Sequence, residues 1–184
     1  MMRMVGRPRS FDRDDALEKA VEAFWERGYD GASISDLTSA IGIAAPSLYA
    51  AFGDKGRLFE EASGRYIERL EAALHAALGE PTARAAIERL LRETAEHHTL
   101  DDCRRGCLVM SEPRLASERA RIRDEIATRI RRGQQDGDVP ATADADALAD
   151  LTDLLLAGMS ARARDGATLA QLEGAIAPAL AAFG

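Results

Sequence analysis

Apolar positions along this chain recur every three or four residues, the period of a helix with one buried face, and no segment shows the single alternation of a strand. In FDRDDALEKAVEAFWER (11–27), Leu17, Val21, Phe24 and Trp25 fall at helical spacing. Asp12, Asp14 and Asp15 load the first turn of that segment, where acids complement the helix dipole. Gly28 and the YDG of 29–31 end it. Ser33 is a good N-cap for ISDLTSAI, a helix of about two turns that turns Ile34, Leu37 and Ile41 inward. Gly42 breaks that helix, and Pro46 sits where a first-turn proline is tolerated, so Ser47 to Phe52 forms a second short helix.

The same periodicity predicts a long helix from Asp54 to Leu78 with Leu58, Phe59, Ala62, Tyr66, Leu70 and Leu74 as its stripe. Pro81 and Thr82 open another that runs to His98, and the polar turn TLDDCRRG follows. Pro113 divides residues 107–136 into a short segment and a helix over 116–135. GQQDGDVPATAD is a connector, and helices over 144–164 and 168–182 close the chain. There is no internal repeat. The expected fold is all-α.

Composition agrees. Of the 184 residues 46% are hydrophobic but only 5% aromatic, with alanine and leucine dominant, a bias toward helix. No run reaches the roughly 18 apolar residues of a membrane span. The basic start, MMRMVGRPRS, is not followed by the apolar segment of a secretory signal. Two cysteines are too few for a disulfide framework, so the expected location is cytoplasmic. The net charge of −7 speaks against a broadly basic nucleic-acid binder, and residues 1–60 carry 8 Lys+Arg against 10 Asp+Glu. Nucleic-acid binding would therefore depend on a few well-placed cations.

Two short helices around Gly42, braced by a longer preceding helix, form a helix-turn-helix pattern, in which the second helix enters the DNA major groove. A helix that meets the groove floor needs small residues on that face, and Ala44, Ala45, Ser47, Ala50 and Ala51 supply them. Ser47 and Tyr49 offer hydroxyls to phosphate oxygens, and Lys55 adds a cation at the start of the next helix.

At this point the stretch GRPRSFDRDDALEKAVEAFWERGYDGASISDLTSAIGIAAPSLYAAFGDKGRLFEEASGRY resembles the DNA-binding domain of TetR-family transcriptional regulators. Phe24, Gly28, Tyr29, Ser33-Ile34, Gly42, Ser47, Leu48, Tyr49, Phe52, Lys55 and Leu58 carry the likeness. The resemblance implies groove contacts from the 44–50 face (Ala44, Ala45, Pro46, Ser47, Ala50), phosphate contacts from Ser33, Ser35, Tyr49 and Lys55, and a DNA-reaching arm with Arg7 and Arg9. Two positions depart from the family pattern: Ala45 stands where a polar or basic residue is common, and Ala51 where histidine is. Specificity then comes from thymine-methyl packing and DNA shape, or else affinity is modest.

For the rest of the chain the resemblance implies a helical ligand-binding and dimerising domain. The expected organisation is a flexible basic arm (1–10), a DNA-binding domain (11–56) and an effector and dimer domain (57–184). Tyr66, Leu70, Leu91, His98, Cys107, Met110, Leu155 and Met159 are the candidate lining of the effector pocket. Leu148, Leu151, Leu155 and Met159, with Leu169, Leu172, Ile176 and Leu180, form apolar stripes suited to a four-helix dimer interface. The expected function is a homodimeric repressor of a pseudo-palindromic double-stranded DNA operator, released by a small-molecule effector, with no cofactor and no membrane partner. Arg104 and Arg105 beside Cys103 and Cys107 leave a thiol-based sensor as an alternative. A helical interaction protein that has lost DNA binding is another. His97-His98 does not read as a metal site, because adjacent helical residues point about 100° apart. No nucleophile–base set, phosphate loop or metal motif supports an enzyme.

Overall fold

The computed structural model describes residues 11–100 and 106–183, and every regular element among them is helical. Arg7, Arg9 and Cys103 lie outside the described residues. No described helix is long and apolar enough to cross a membrane. The chain divides into two compact units, Met1–Tyr66 and Ile67–Gly184.

The first unit contains α1 (Arg13–Gly31), α2 (Ile34–Ile41), α3 (Ala45–Phe52) and the first turns of α4 (Lys55–Leu78). Asp12 caps α1, its carboxylate accepting from the N–H groups of Asp14 and Asp15. Helical dihedrals lapse at Gly28 (φ 69°, ψ 169°), so the glycine kinks the element where the sequence expectation ended it, and the helix resumes to Gly31. One face of α1 buries Ala16, Leu17, Ala20, Val21, Ala23 and Phe24. Phe24 meets Phe59 of α4 edge-on at 5.1 Å between ring centroids and stacks on Tyr29 at 6.2 Å. Burying one such ring is worth roughly 2–3 kcal/mol from area alone. Trp25 meets Tyr66 at 5.1 Å. Arg13 pairs with Glu61, and Arg65 with Asp14 and Glu18. These contacts place Leu58, Phe59, Ala62 and Tyr66 in the first unit, so it ends later than the expected boundary at 56.

Ile67 to the end of α4 opens the second unit, followed by α5 (Ala83–Thr99), α6 (Leu108–Ser111), α7 (Ala116–Asp136), α8 (Ala145–Arg164), α9 (Leu169–Glu173) and α10 (Ile176–Leu180). α5 is central, packing against α7, α8, α9 and α10. Ile87, Leu91, Ile126, Ile130, Met159, Ile176 and Phe183 are among the buried side chains of this core. Arg129 is buried and donates to the carbonyls of Leu78 (3.1 Å) and Glu80 (3.0 Å), closing the C-terminal end of α4. The single helix expected over 168–182 is instead two short helices and a 3₁₀ turn, Ala181–Phe183. Pro178 has no N–H to return to the carbonyl of Gly174, and the helical ladder is interrupted there.

Gly106 approaches α8 closely. Its φ is +73°, and a Cβ at this position would lie 2.5 Å from the Ser160 carbonyl oxygen and 2.6 Å from its Oγ. The next N–H, that of Cys107, donates to Ser160 Oγ at 2.8 Å. Gly106→Ala is therefore expected to lower the stability of the second unit by roughly 2–4 kcal/mol, combining backbone strain with overpacking. Urea unfolding monitored by circular dichroism measures this, and a midpoint equal to wild type would contradict the packing described.

Candidate nucleic-acid interface

The α2–α3 pair is built by local sequence. Ser33 and Asp36 form a reciprocal capping box: Asp36 accepts from the Ser33 N–H at 2.9 Å, and Ser33 Oγ accepts from the Asp36 N–H at 3.1 Å. The Ser33 hydroxyl, followed by the Ser33 N–H, holds the Asp36 carboxyl below the usual range, with Arg27 adding to the effect. Gly42 adopts the left-handed conformation (φ 79°, ψ 32°) that ends α2, its N–H donating to Thr38. Few residues other than glycine take that conformation without strain. Leu37, Ile41, Leu48 and Phe52 are buried and fix the inner faces of the two helices.

What remains outside is the chemistry predicted for α3. Ala44, Pro46 and Ala50 are exposed, and Ala45 and Ser47 half-buried. Tyr49 is 48% exposed, unusual for a large aromatic residue, and its hydroxyl has no hydrogen-bond partner among the described residues. Ala44 provides no side-chain cap, so the N-terminal end of α3 is left without a competing acceptor. Lys55 Nζ lies over the Tyr29 ring, 4.4 Å from its centroid. A ring face attracts the ammonium without neutralising it, so the charge is held in place and kept available. Ser33 and Ser35 differ. The Ser33 hydroxyl donates to Asp36 at 2.6 Å and belongs to the cap, whereas Ser35 is exposed.

The pairing of Tyr29 with Lys55 was not legible beforehand, because two residues in different helices meet only through the fold. The first unit thus presents α3 as a small, neutral surface flanked by a hydroxyl and a held cation.

The other predicted groups separate. Tyr66 belongs to the first unit, against Trp25. Leu91, His98, Cys107 and Met159 are buried in the second unit, with Leu70, Met110 and Leu155 half-buried. An open groove of about 700 Å³ in that unit is lined by other residues, among them Ser117, Asp124, Thr128 and Arg132 of α7. Cys107 is buried, at 4% exposure, which shields the thiol from solvent. Of the interface stripes, Leu148, Leu172, Ile176 and Leu180 point into the protomer's own core. Leu151 and Leu155 are half-buried, and Leu169 is exposed. The apolar side chain most available on α8 is Leu154, at 69% exposure, which the sequence reading left out. Among the described residues no group of three His, Cys, Asp or Glu is placed to hold a metal ion.

His98, a candidate pocket residue, is a core residue of the second unit: it is 5% exposed, and its Nδ1 has no hydrogen-bond partner among the described residues. Burial, and secondarily the His97 charge, lower its pKa to about 4. The unfolded chain binds this proton near pH 6.5, so stability is lost as pH falls from about 6.5 toward 4. His98→Leu is expected to gain on wild type across that window by roughly 2–4 kcal/mol, at 1.36 kcal/mol per pKa unit, with a constant difference at higher pH. Denaturant titrations from pH 4 to 8 measure it, and parallel pH profiles would contradict a neutral buried imidazole.

Known proteins are similar to this chain in sequence and fold. The profile described as bacterial regulatory proteins, tetR family, matches residues 16–62. The chain is 34% identical over 181 residues to the HTH-type transcriptional repressor ComR of Escherichia coli (strain K12), covering 91% of this chain and 86% of ComR. It is 29% identical over 185 residues to the repressor BdcR of the same strain, covering 92% and 88%. Among solved structures, a cysteine mutant of the TetR family transcriptional regulator CifR, complexed with 26-bp double-strand operator DNA, superposes with a TM-score of 0.92 at 40% identity. That match covers 97% of this chain and all of the other.

Proposed function

The chain belongs to the tetR family of bacterial regulatory proteins, and on that premise we propose that it is a homodimeric transcriptional repressor that a small-molecule effector releases from a pseudo-palindromic operator. The observation that carries the reading is the outer face of α3. Its small side chains can approach the groove floor, while Tyr49 and Lys55 stand at its margin as phosphate ligands. Ser35 supports the same role on α2, and Arg7 and Arg9 extend it as an N-terminal arm. Ser33 contributes by holding the α2 cap. With alanine at 44, 45, 50 and 51, base reading relies on apolar contact with thymine methyls and on DNA shape.

Reading two half-sites requires two copies, and a two-fold pair through α8 and the C-terminal segment gives that requirement a structural basis. Leu154, Leu151, Leu155 and Leu169 are the leucines of these elements that the protomer leaves exposed or half-exposed. The effector binds in the second unit, with Leu91, His98, Cys107, Met110 and Met159 as its candidate lining; His98, buried and with an Nδ1 that has no hydrogen-bond partner among the described residues, offers a polar contact. It acts only through its differential affinity for the DNA-competent and released states. A repressor of this kind works in the cytoplasm.

The test is a titration of purified protein against DNA from upstream of its own gene at two salt concentrations, for wild type and for Tyr49→Phe combined with Lys55→Ala. Wild type is expected to bind tightly and with steep salt dependence. The double variant is expected to lose about tenfold or more, the scale of charge-assisted contacts. Equal, salt-insensitive binding by both proteins would contradict a phosphate clamp at 47–55.

A further inference from the structure

The basic side chains among the described residues of the first unit fall into two classes. Among the described residues, Arg13 pairs with Glu61, Lys19 with Asp15 at 2.7 Å, Arg27 with Asp36 at 3.3 Å, and Arg65 with Asp14 and Glu18. Lys55 and Arg57 are the two left without a carboxylate at ion-pair distance, and they lie two residues apart in the first turn of α4. In a segment whose acids outnumber its bases, cations not neutralised within the fold determine where the local field is positive. Lys55 is already accounted for. Arg57 is not.

The position of Arg57 is constructed. Its main-chain N–H donates to Asp54 Oδ1 at 2.9 Å, which fixes the first turn of α4 without engaging the guanidinium. The side chain turns back over Gly53, the residue that ends α3: a Cβ built at position 53 would lie 3.0 Å from Arg57 Cδ and 3.6 Å from Nη1. Glycine at 53 thus leaves the space that the arginine stem occupies. The exposed guanidinium stands beside the C-terminal end of α3, whose carbonyls carry partial negative charge. That end attracts a cation but does not saturate the donor fork of a guanidinium, whose geometry matches a phosphate.

We propose that Arg57 is a further DNA-phosphate ligand, placed at the C-terminal end of α3 by Gly53 and acting beside Lys55 on the backbone that borders the groove. This rests on the DNA-binding reading of the same surface. The competing role, compensation of the α3 dipole alone, would affect stability but not the number of phosphates engaged.

The experiment measures affinity for a DNA fragment that wild type binds, as a function of salt, for wild type, Arg57→Ala, Arg57→Lys and Lys19→Ala, with urea stability recorded for each. Each lost phosphate contact flattens the plot of log affinity against log salt by about 0.9, hence by about 1.8 for two protomers. The deficit of Arg57→Ala relative to wild type should therefore shrink about tenfold between about 50 and 200 mM salt. Arg57→Lys should retain the wild-type slope, and so should Lys19→Ala, whose charge is already paired with Asp15. A wild-type slope in Arg57→Ala, with or without lost stability, would overturn the proposal and leave the DNA-binding reading standing. Failure of wild type to bind any fragment would overturn both.

Discussion

The contact between Phe24 and Phe59, with Tyr29 against both rings, is the constraint on which the first unit depends. It ties α1 to the first turns of α4, so that α2 and α3 need only bury Leu37, Ile41, Leu48 and Phe52 to be held in place. Two-turn helices are marginal by themselves, and tertiary packing of this kind is what makes them persist. Tyr29 has a second role, since its ring is part of the cluster while also supporting the ammonium of Lys55. The same contact therefore organises the fold and places a charge at its surface.

Charge placement, rather than net charge, decides what this surface can do. Exposed ion pairs such as Lys19–Asp15 contribute little stability, with a median of about 0–1 kcal/mol. Their larger effect is on the field: a guanidinium or ammonium beside a carboxylate contributes little at a distance, and the cations left over stand out. α3 itself carries no charged residue, so the chemistry of its exposed face comes from alanines, a serine and a tyrosine. Affinity from phosphates at the margin and selectivity from apolar contact and DNA shape are the division of labour such a helix supports.

Much of this was legible in the sequence because it is local. The three-to-four spacing of apolar residues, Ser33 three positions before Asp36, Gly42 and the first-turn Pro46 act within a few residues of themselves. Features that depend on distant partners were not legible. The acceptor of the Ser33 hydroxyl is one example: the sequence offered a free donor for phosphate, and the cap takes it. His98 sits beside His97 in a polar segment, yet helix rotation turns it inward while its neighbour faces solvent. The leucine stripes of the last helices were periodic as expected, but periodicity does not say whether a buried face meets its own protomer or a second one. Most of that face is core, with Leu151 and Leu155 half-buried and Leu169 exposed, and the most exposed leucine, Leu154, lies off the stripe. The break near Gly174 follows from Pro178, whose missing N–H the apolar spacing of the segment does not register.

The account is tested most directly by mapping which guanine N7 positions on a bound operator fragment the protein protects from methylation, since that atom lies only in the major groove. It predicts two protected clusters on one face of the duplex, about 10 base pairs or a multiple of that apart, where the two copies of α3 enter. Protection confined to one cluster, or none in a complex that still forms, would contradict a paired α3 as the element that reads DNA.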